Sequence, residues 1–210
     1  MKITISRADE SHLQDCVAAL SNSELGRVYF PSEENALASL AEGLARDEVF
    51  VAVDEAGECL GFIWFIPRGA FHSYPYLHVI AVKEGHRGEG IGKKLLAFFE
   101  ETVFADSAKA FLVVADFNPD ARRLYQRLGW RQVGAIPGLY RDGVTEYVMM
   151  KERDPAADAP DMSTLDRLIA EGRATPASQS MDALPTPIEL PPGAPAASEA
   201  LRQMREDERW

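Results

Sequence analysis

Three glycines alternate at positions 88, 90 and 92, inside the run Val82-Lys83-Glu84-Gly85-His86-Arg87-Gly88-Glu89-Gly90-Ile91-Gly92-Lys93. Before the run, Tyr76 to Val82 reads as a strand; after it, Ile91, Leu95, Phe98, Phe99 and Thr102 recur at helical spacing. The glycines therefore join a strand to a helix. Without side chains there, backbone N–H groups can turn toward one point and add to the orphan donors of the helix N-terminus. Such a nest, helped by the helix dipole, suits a diphosphate, and Arg87 and Lys93 can add charge-assisted contacts. A tight turn with its glycines kept for packing is the other reading. The spacing is not a P-loop, which needs Gly-Lys-Ser/Thr, nor a dinucleotide fingerprint, whose last glycine falls elsewhere.

The rest of the first 152 residues alternates between the two periodicities. Strands are expected at 2–6, 48–54, 59–67, 76–82, 109–116, 130–136 and 144–151, with a Gly57 hairpin turn between the second and third. Helices are expected at 10–20, with Leu13, Cys16, Val17 and Leu20 on one face, and at 32–46, 90–104 and 119–128. Asn118 caps the last of these and Gly129 ends it. The order predicts an α/β fold, a mixed sheet with helices on both faces.

Of the 13 prolines, five lie at or before Pro137 and eight from Pro155 onward, and the segment after residue 152 holds no lysine. That shift places one compact domain at 1–152 and a Pro/Ala-rich tail at 153–210 that cannot build a core of its own. A net charge of -11 disfavours nucleic acid as a partner. Cys16 and Cys59 are at no metal-ligand spacing and read as small core residues, so no metal is expected. No apolar run reaches the ~18 residues of a membrane span and no signal-peptide pattern opens the chain, so the expectation is a cytoplasmic protein without a membrane partner.

The pattern Val82-x4-Arg87-Gly88-x-Gly90-Ile91-Gly92, followed by Leu95-Leu96, resembles the acetyl-CoA pyrophosphate motif of the GNAT superfamily of N-acetyltransferases. A second segment, Asn118-Pro119-Asp120-Ala121-Arg122-Arg123-Leu124-Tyr125-Gln126-Arg127-Leu128-Gly129-Trp130, resembles the superfamily's Asn-x-x-Ala-x-x-x-Tyr-x-x-x-Gly-Phe stretch, with Trp130 in place of Phe. The resemblance covers residues 3–151. It implies a GNAT-like, mainly antiparallel sheet of about six to seven strands and acetyl-CoA as cosubstrate. It further implies that Ile80, Ala81 and Val82 offer backbone groups to the pantetheine arm. The amides of Arg87, Gly88, Glu89, Gly90, Ile91, Gly92 and Lys93 would hold the pyrophosphate, and Asn118 would bond the arm. Tyr125 shares a helix face with Ala121 and is the candidate acid for the departing thiolate. His78, on the strand before the loop and on one face with Tyr76, is the candidate base, with water as the alternative. The resemblance implies a primary amine as acceptor, either a protein N-terminus or a small amine, in a cleft expected to be lined by residues 20–35 and 137–143, with Leu25, Tyr29, Phe30 and Tyr140 as candidates.

In the tail, Ser163 to Gly172 reads as a short capped helix with Leu165, Leu168 and Ile169 as its apolar stripe. Ser198 opens a second helix carrying Leu201, Arg202, Met204 and Arg205. This arrangement resembles the toxin-neutralising tail of prevent-host-death-type antitoxins. It implies a second function class, an interaction protein whose tail folds on a PIN-domain ribonuclease toxin and presents Arg202 or Arg205 to an acidic site, with the first domain as scaffold. A tail packed on its own domain, or on the mate in a homodimer, is the alternative.

Overall fold

A computed structural model describes residues 2–154, 168, 169 and 171–174, and the chain divides into two units, residues 1–158 and 159–210. In the first unit the order is β1 (Thr4–Arg7), α1 (Leu13–Ser21), α2 (Glu24–Tyr29), α3 (Glu33–Ala45), β2 (Val49–Val53), β3 (Cys59–Ala70) and β4 (Tyr74–Val82). There follow α4 (Ile91–Phe104), β5 (Lys109–Ala115), α5 (Pro119–Arg127), β6 (Arg131–Pro137) and β7 (Thr145–Glu152). Each strand and helix expected in the first 152 residues is present to within a few residues. The short α2 is additional. Ser23 caps it by accepting from the Gly26 N–H, 2.8 Å away, and Gly26 lies so close to the Leu20 carbonyl that a Cβ there would collide with it.

The seven strands form one sheet in the order β1-β2-β3-β4-β5-β7-β6, antiparallel except for the parallel pair β4–β5. Alternation along β2 sends Val49 and Val51 to the face covered by α1 and α3, and Phe50 and Ala52 to the face covered by α4. Phe62 on the first face and Phe99 on the second are fully buried, each contributing ~2–3 kcal/mol relative to exposure. Cys16 and Cys59 are buried free thiols of the α1/α3 core. Thr102 faces solvent and donates to the Phe98 carbonyl, and Val103 takes the buried position expected of it.

Pairing between β3 and β4 slips at two places, between Ile66 and Ala70 and beside His78. Trp64 faces Val79 and Phe65 faces Leu77, so His78 is an extra residue, a β-bulge. The bulge reverses the alternation: Leu77 packs into the α4 core and Val79 into the α1/α3 core, although they are two residues apart. Beyond it β4 also leaves β5. The two strands pair only at Tyr76–Phe111 and Leu77–Leu112, and after that they diverge. A bulge bends its strand and raises its twist, which accounts for the divergence.

Trp130, where the family pattern has Phe, has a local reason. Its indole N–H donates to Glu100 (2.8 Å), whose other oxygen holds Lys151 (2.6 Å), and Lys151 donates to the Leu128 carbonyl at the end of α5 (2.8 Å). The indole thus ties α4 to a partner that caps α5.

In the second unit, Leu168 and Ile169 are helical and Gly172 has φ +68°; the Leu168 carbonyl accepts from Arg173 (2.8 Å) and Ala174 (3.1 Å). This is a glycine-ended turn, where the sequence placed the helix stop. Leu165, Leu201, Arg202, Met204 and Arg205 lie outside the described residues. No helix among the described residues is long and apolar enough to cross a membrane.

Candidate functional site

The gap between β4 and β5 is a cavity of about 580 Å³. β4 supplies one wall, with His78, Ile80, Ala81 and Val82; β5 supplies the opposite one, from Leu112 to Ala115. Gly92 and Leu96 of α4 and Asn118, Ala121 and Tyr125 of α5 close one side. On the other side stand Leu25 and Tyr29 of α2, Phe30, Tyr140 from the β6–β7 loop, and Glu146 of β7. Strands that separate leave backbone N–H and C=O groups without ladder partners, which suits an extended, amide-bearing guest.

At one end of the cavity lies the glycine loop. Gly88 and Gly90 both adopt left-handed backbone, φ +84° and +82°, with Glu89 between them at negative φ. Gly90 is the N-cap of α4 and makes no side-chain cap. The N–H groups of Gly88 through Lys93 donate to no acceptor among the described residues, and the first helical bond runs from Lys94 N–H to the Gly90 carbonyl (3.1 Å). A Cβ on Gly88 or Gly90 would meet nothing within 4 Å. The glycines therefore serve backbone conformation beside open space, not packing, and six free amides at a helix N-terminus make an anion nest. Ile91 is 1% exposed with its side chain in the core, so only its amide faces the nest. Lys93 is exposed. Arg87 instead bonds the Asn22 carbonyl (2.8 Å) and the Val82 carbonyl (3.4 Å), tying the loop to the end of α1. Glu89 pairs with His86 at 3.6 Å, which draws its carboxylate to the imidazole.

Across the cavity, the Asn118 side chain accepts from the Ala121 N–H (3.2 Å) and Pro119 occupies the first turn, so α5 begins beside β5. About two turns on, Tyr125 is 9% exposed, with its ring edge-on to Trp130 (centroids 6.3 Å apart). Burial pushes its phenol up to about 12, so it stays protonated throughout the neutral range. His78 packs edge-on against Trp64 (4.4 Å) and lies 5.9 Å from Tyr76, ring to ring. Burial lowers its pKa from the ordinary 6.5, so the imidazole is neutral at pH 7 and can accept a proton.

Glu146 escapes a reading of the sequence. In Thr145-Glu146-Tyr147-Val148 it looks like an outward residue of an alternating strand, yet it is 2% exposed and is the one buried polar or charged residue among those described. Tyr29 donates to its Oε1 in a short hydrogen bond. Burial, then the nearby Asp116, raise the Glu146 pKa, and the Tyr29 bond opposes them. Burial, then the bond to Glu146, raises Tyr29 above the usual phenol range; burial, then the Tyr140 hydroxyl, raises Tyr76 above it. Tyr76 and Tyr140 share a hydrogen bond of 3.0 Å between their hydroxyls, and Tyr140 sits edge-on to Tyr29 (5.8 Å). Arg141 donates to the Val28 carbonyl (3.1 Å), fastening the β6–β7 loop to α2. The covering of Glu146 thus depends on α2 and this loop, neither of which has a periodic signature.

Comparison with known proteins agrees with this geometry. The profile of the Acetyltransferase (GNAT) family matches residues 17–130. The chain is 31% identical over 105 residues to a protein of Mycobacterium leprae, a stretch covering 49% of this chain and 29% of that one. It is 39% identical over 92 residues to an uncharacterized N-acetyltransferase of Methanocaldococcus jannaschii, covering 42% and 58% of the two chains. It therefore spans well under two thirds of the length of these relatives. The fold matches the crystal structure of a putative acetyltransferase from Desulfovibrio desulfuricans with a TM-score of 0.62 over 72% of this chain and 99% of that one, at 18% identity. With a family match over more than half its length, a sheet opened at a β4 bulge and a glycine nest at the start of α4, the chain belongs to the GNAT family of acetyltransferases.

Proposed function

We propose that the protein transfers an acetyl group from acetyl-CoA to a primary amine in a ternary complex. The observation that carries this reading is the junction of three features in one cavity: six free amides at one end, diverged strand edges along it, and the Tyr125 phenol inside it. The amides of Gly88 to Lys93 suit the pyrophosphate, and the edges of Ile80, Ala81 and Val82 suit the amide-bearing pantetheine arm. Asn118, at the start of α5, borders the same channel. The amine enters from the α2 side. A neutral amine attacks the thioester carbon, the C–S bond breaks, and the Tyr125 hydroxyl donates to the departing sulfur. His78, neutral at pH 7, or a water molecule takes the proton released from nitrogen.

The test is to incubate the full chain with acetyl-CoA and a panel of primary amines, following free thiol and product mass together. Thiol release matched by acetylated amine is expected. Thiol release without any acetylated product would refute transfer to an amine.

A further inference from the structure

We propose that Glu146, held by Tyr29, is the acceptor's ammonium site, so that the enzyme selects primary amines that arrive as cations on an apolar or aromatic group. This rests on the acetyl-transfer reading above and names the acceptor class for it.

Burying a carboxylate is costly unless a cation or several donors compensate it. Glu146 has neither in full. Tyr29 donates to Oε1, Oε2 makes no hydrogen bond among the described residues, and no cationic side chain there forms an ion pair with it. The groups that act on it are Tyr29 from α2, Asp116 just past β5 and Tyr76 from β4, all neutral or anionic, and Tyr140 from the β6–β7 loop stands against both tyrosines. Arg141, the nearest cation in that loop, is turned to the Val28 carbonyl. A desolvated negative charge on a cavity wall, with no internal counter-ion, is a site shaped for a positive guest.

The surrounding surface has the same preference. Tyr29 lies against Phe117 (5.9 Å) and Tyr140 (5.8 Å), so aromatic rings border the carboxylate. Ring faces attract cations and also suit the carbon skeleton behind an ammonium. Leu25 and Phe30 extend that apolar wall. A net charge of -11 favours the approach of cations over anions. Position completes the case. Glu146 lines the same cavity as Tyr125 and Gly92, and Tyr29 of α2 bonds it there. An ammonium held there shares the cavity with the Tyr125 phenol that the acetyl-transfer reading places at the thioester sulfur. Such an ammonium could belong to a polypeptide N-terminus or to a small arylalkylamine, and the chemistry recognised is the same.

The test measures binding to the full chain loaded with CoA, by calorimetry, of 2-phenylethylamine and its neutral counterpart 2-phenylethanol. It repeats the measurement with a tetrapeptide in free and N-acetylated forms. The wild type is expected to prefer the charged member of at least one pair by roughly 10- to 100-fold, the range of a hydrogen bond to a charged group. Preference in the peptide pair assigns a polypeptide source, and preference only in the amine pair assigns a small molecule. Glu146→Gln is expected to abolish the preference while leaving the acetyl-CoA affinity unchanged. Tyr29→Phe, which keeps the carboxylate, should retain most of it, so a general collapse of the pocket is told apart from loss of charge. Equal binding of charged and neutral members by the wild type, binding of neither, or a preference that survives Glu146→Gln would overturn the proposal. Failure of the wild type to bind acetyl-CoA would instead overturn the acetyl-transfer reading.

Discussion

Replacing Tyr125 by Phe isolates one oxygen atom. The hydroxyl makes no hydrogen bond among the described residues, and the ring contact with Trp130 survives the change. Stability should therefore move by less than about 0.5 kcal/mol. The effect on rate follows from acidity. A phenol at about 12 is a weaker acid than an alkyl thiol at about 8.5, so complete proton transfer to a free thiolate would be uphill by ~5 kcal/mol. In the proposed reaction Tyr125 would therefore act by donating a hydrogen bond to sulfur as negative charge develops there. A hydrogen bond to a charged acceptor contributes ~1.5–3 kcal/mol, equivalent to ~10- to 150-fold in rate. Steady-state thiol release should show kcat reduced by that factor in Tyr125→Phe, with acetyl-CoA affinity unchanged and the melting temperature retained. An unchanged kcat would remove Tyr125 from the mechanism. A fall in kcat accompanied by loss of cooperative melting would show that its role is structural.

Three other outcomes follow from the same geometry. Trp130→Phe leaves Glu100 Oε1 without its indole donor and should cost ~1–2 kcal/mol, seen as a melting temperature lower by a few degrees, with acetyl-CoA affinity preserved. Glu146→Gln should raise the melting temperature of the ligand-free protein at pH 7 by about 2–4 °C, the scale of ~1 kcal/mol in a domain of this size. The sign follows from the raised folded-state pKa: between the ordinary 4.5 and the folded value the native state holds a proton that the unfolded state has released, and above the folded value the buried carboxylate is charged, so stability is full below 4.5 and falls as pH rises through the folded value. The gain from Gln should therefore vanish in acid, which a melting series against pH would check. His78 titrates in the opposite sense. Its folded pKa lies below 6.5, so the unfolded state takes up a proton first and the His78 contribution to stability falls as pH drops through that region. If His78 is the base, kcat falls on the acid side of its lowered pKa, and His78→Gln removes that limb from the pH profile.

Much of this architecture was legible because it depends on local periodicity. The long helices bury one face each at a spacing of 3.6, and the strands are short runs of β-branched and aromatic residues whose alternate members enter the two cores. The glycine loop was legible for a similar reason: left-handed backbone at 88 and 90 demands a residue type that the sequence displays. The features that escaped depend on contacts between distant segments. Helix α2 has six residues, too few for a period, and exists through the Ser23 cap and its close seat on α1 at Gly26. The bulge at His78 is defined by its pairing with Trp64 and Phe65, so Tyr76 and His78 do not sit on a regular strand as the i, i+2 rule assumes. Glu146 becomes buried only because α2 and the Tyr140 loop close over β7. Arg87 bonds the Asn22 carbonyl, a contact 65 positions away that no local pattern displays.

The central claim is that the loop from Gly88 to Lys93 holds acetyl-CoA, and titration of acetyl-CoA into the wild type and Gly90→Glu tests it most directly. At φ +82° a glutamate is strained, and its carboxylate would stand in the open space beside the loop amides proposed to hold the phosphates. The account predicts a measurable affinity in the wild type and a loss of at least ~100-fold in Gly90→Glu, with the variant still folded. Equal affinity in the two proteins would contradict it.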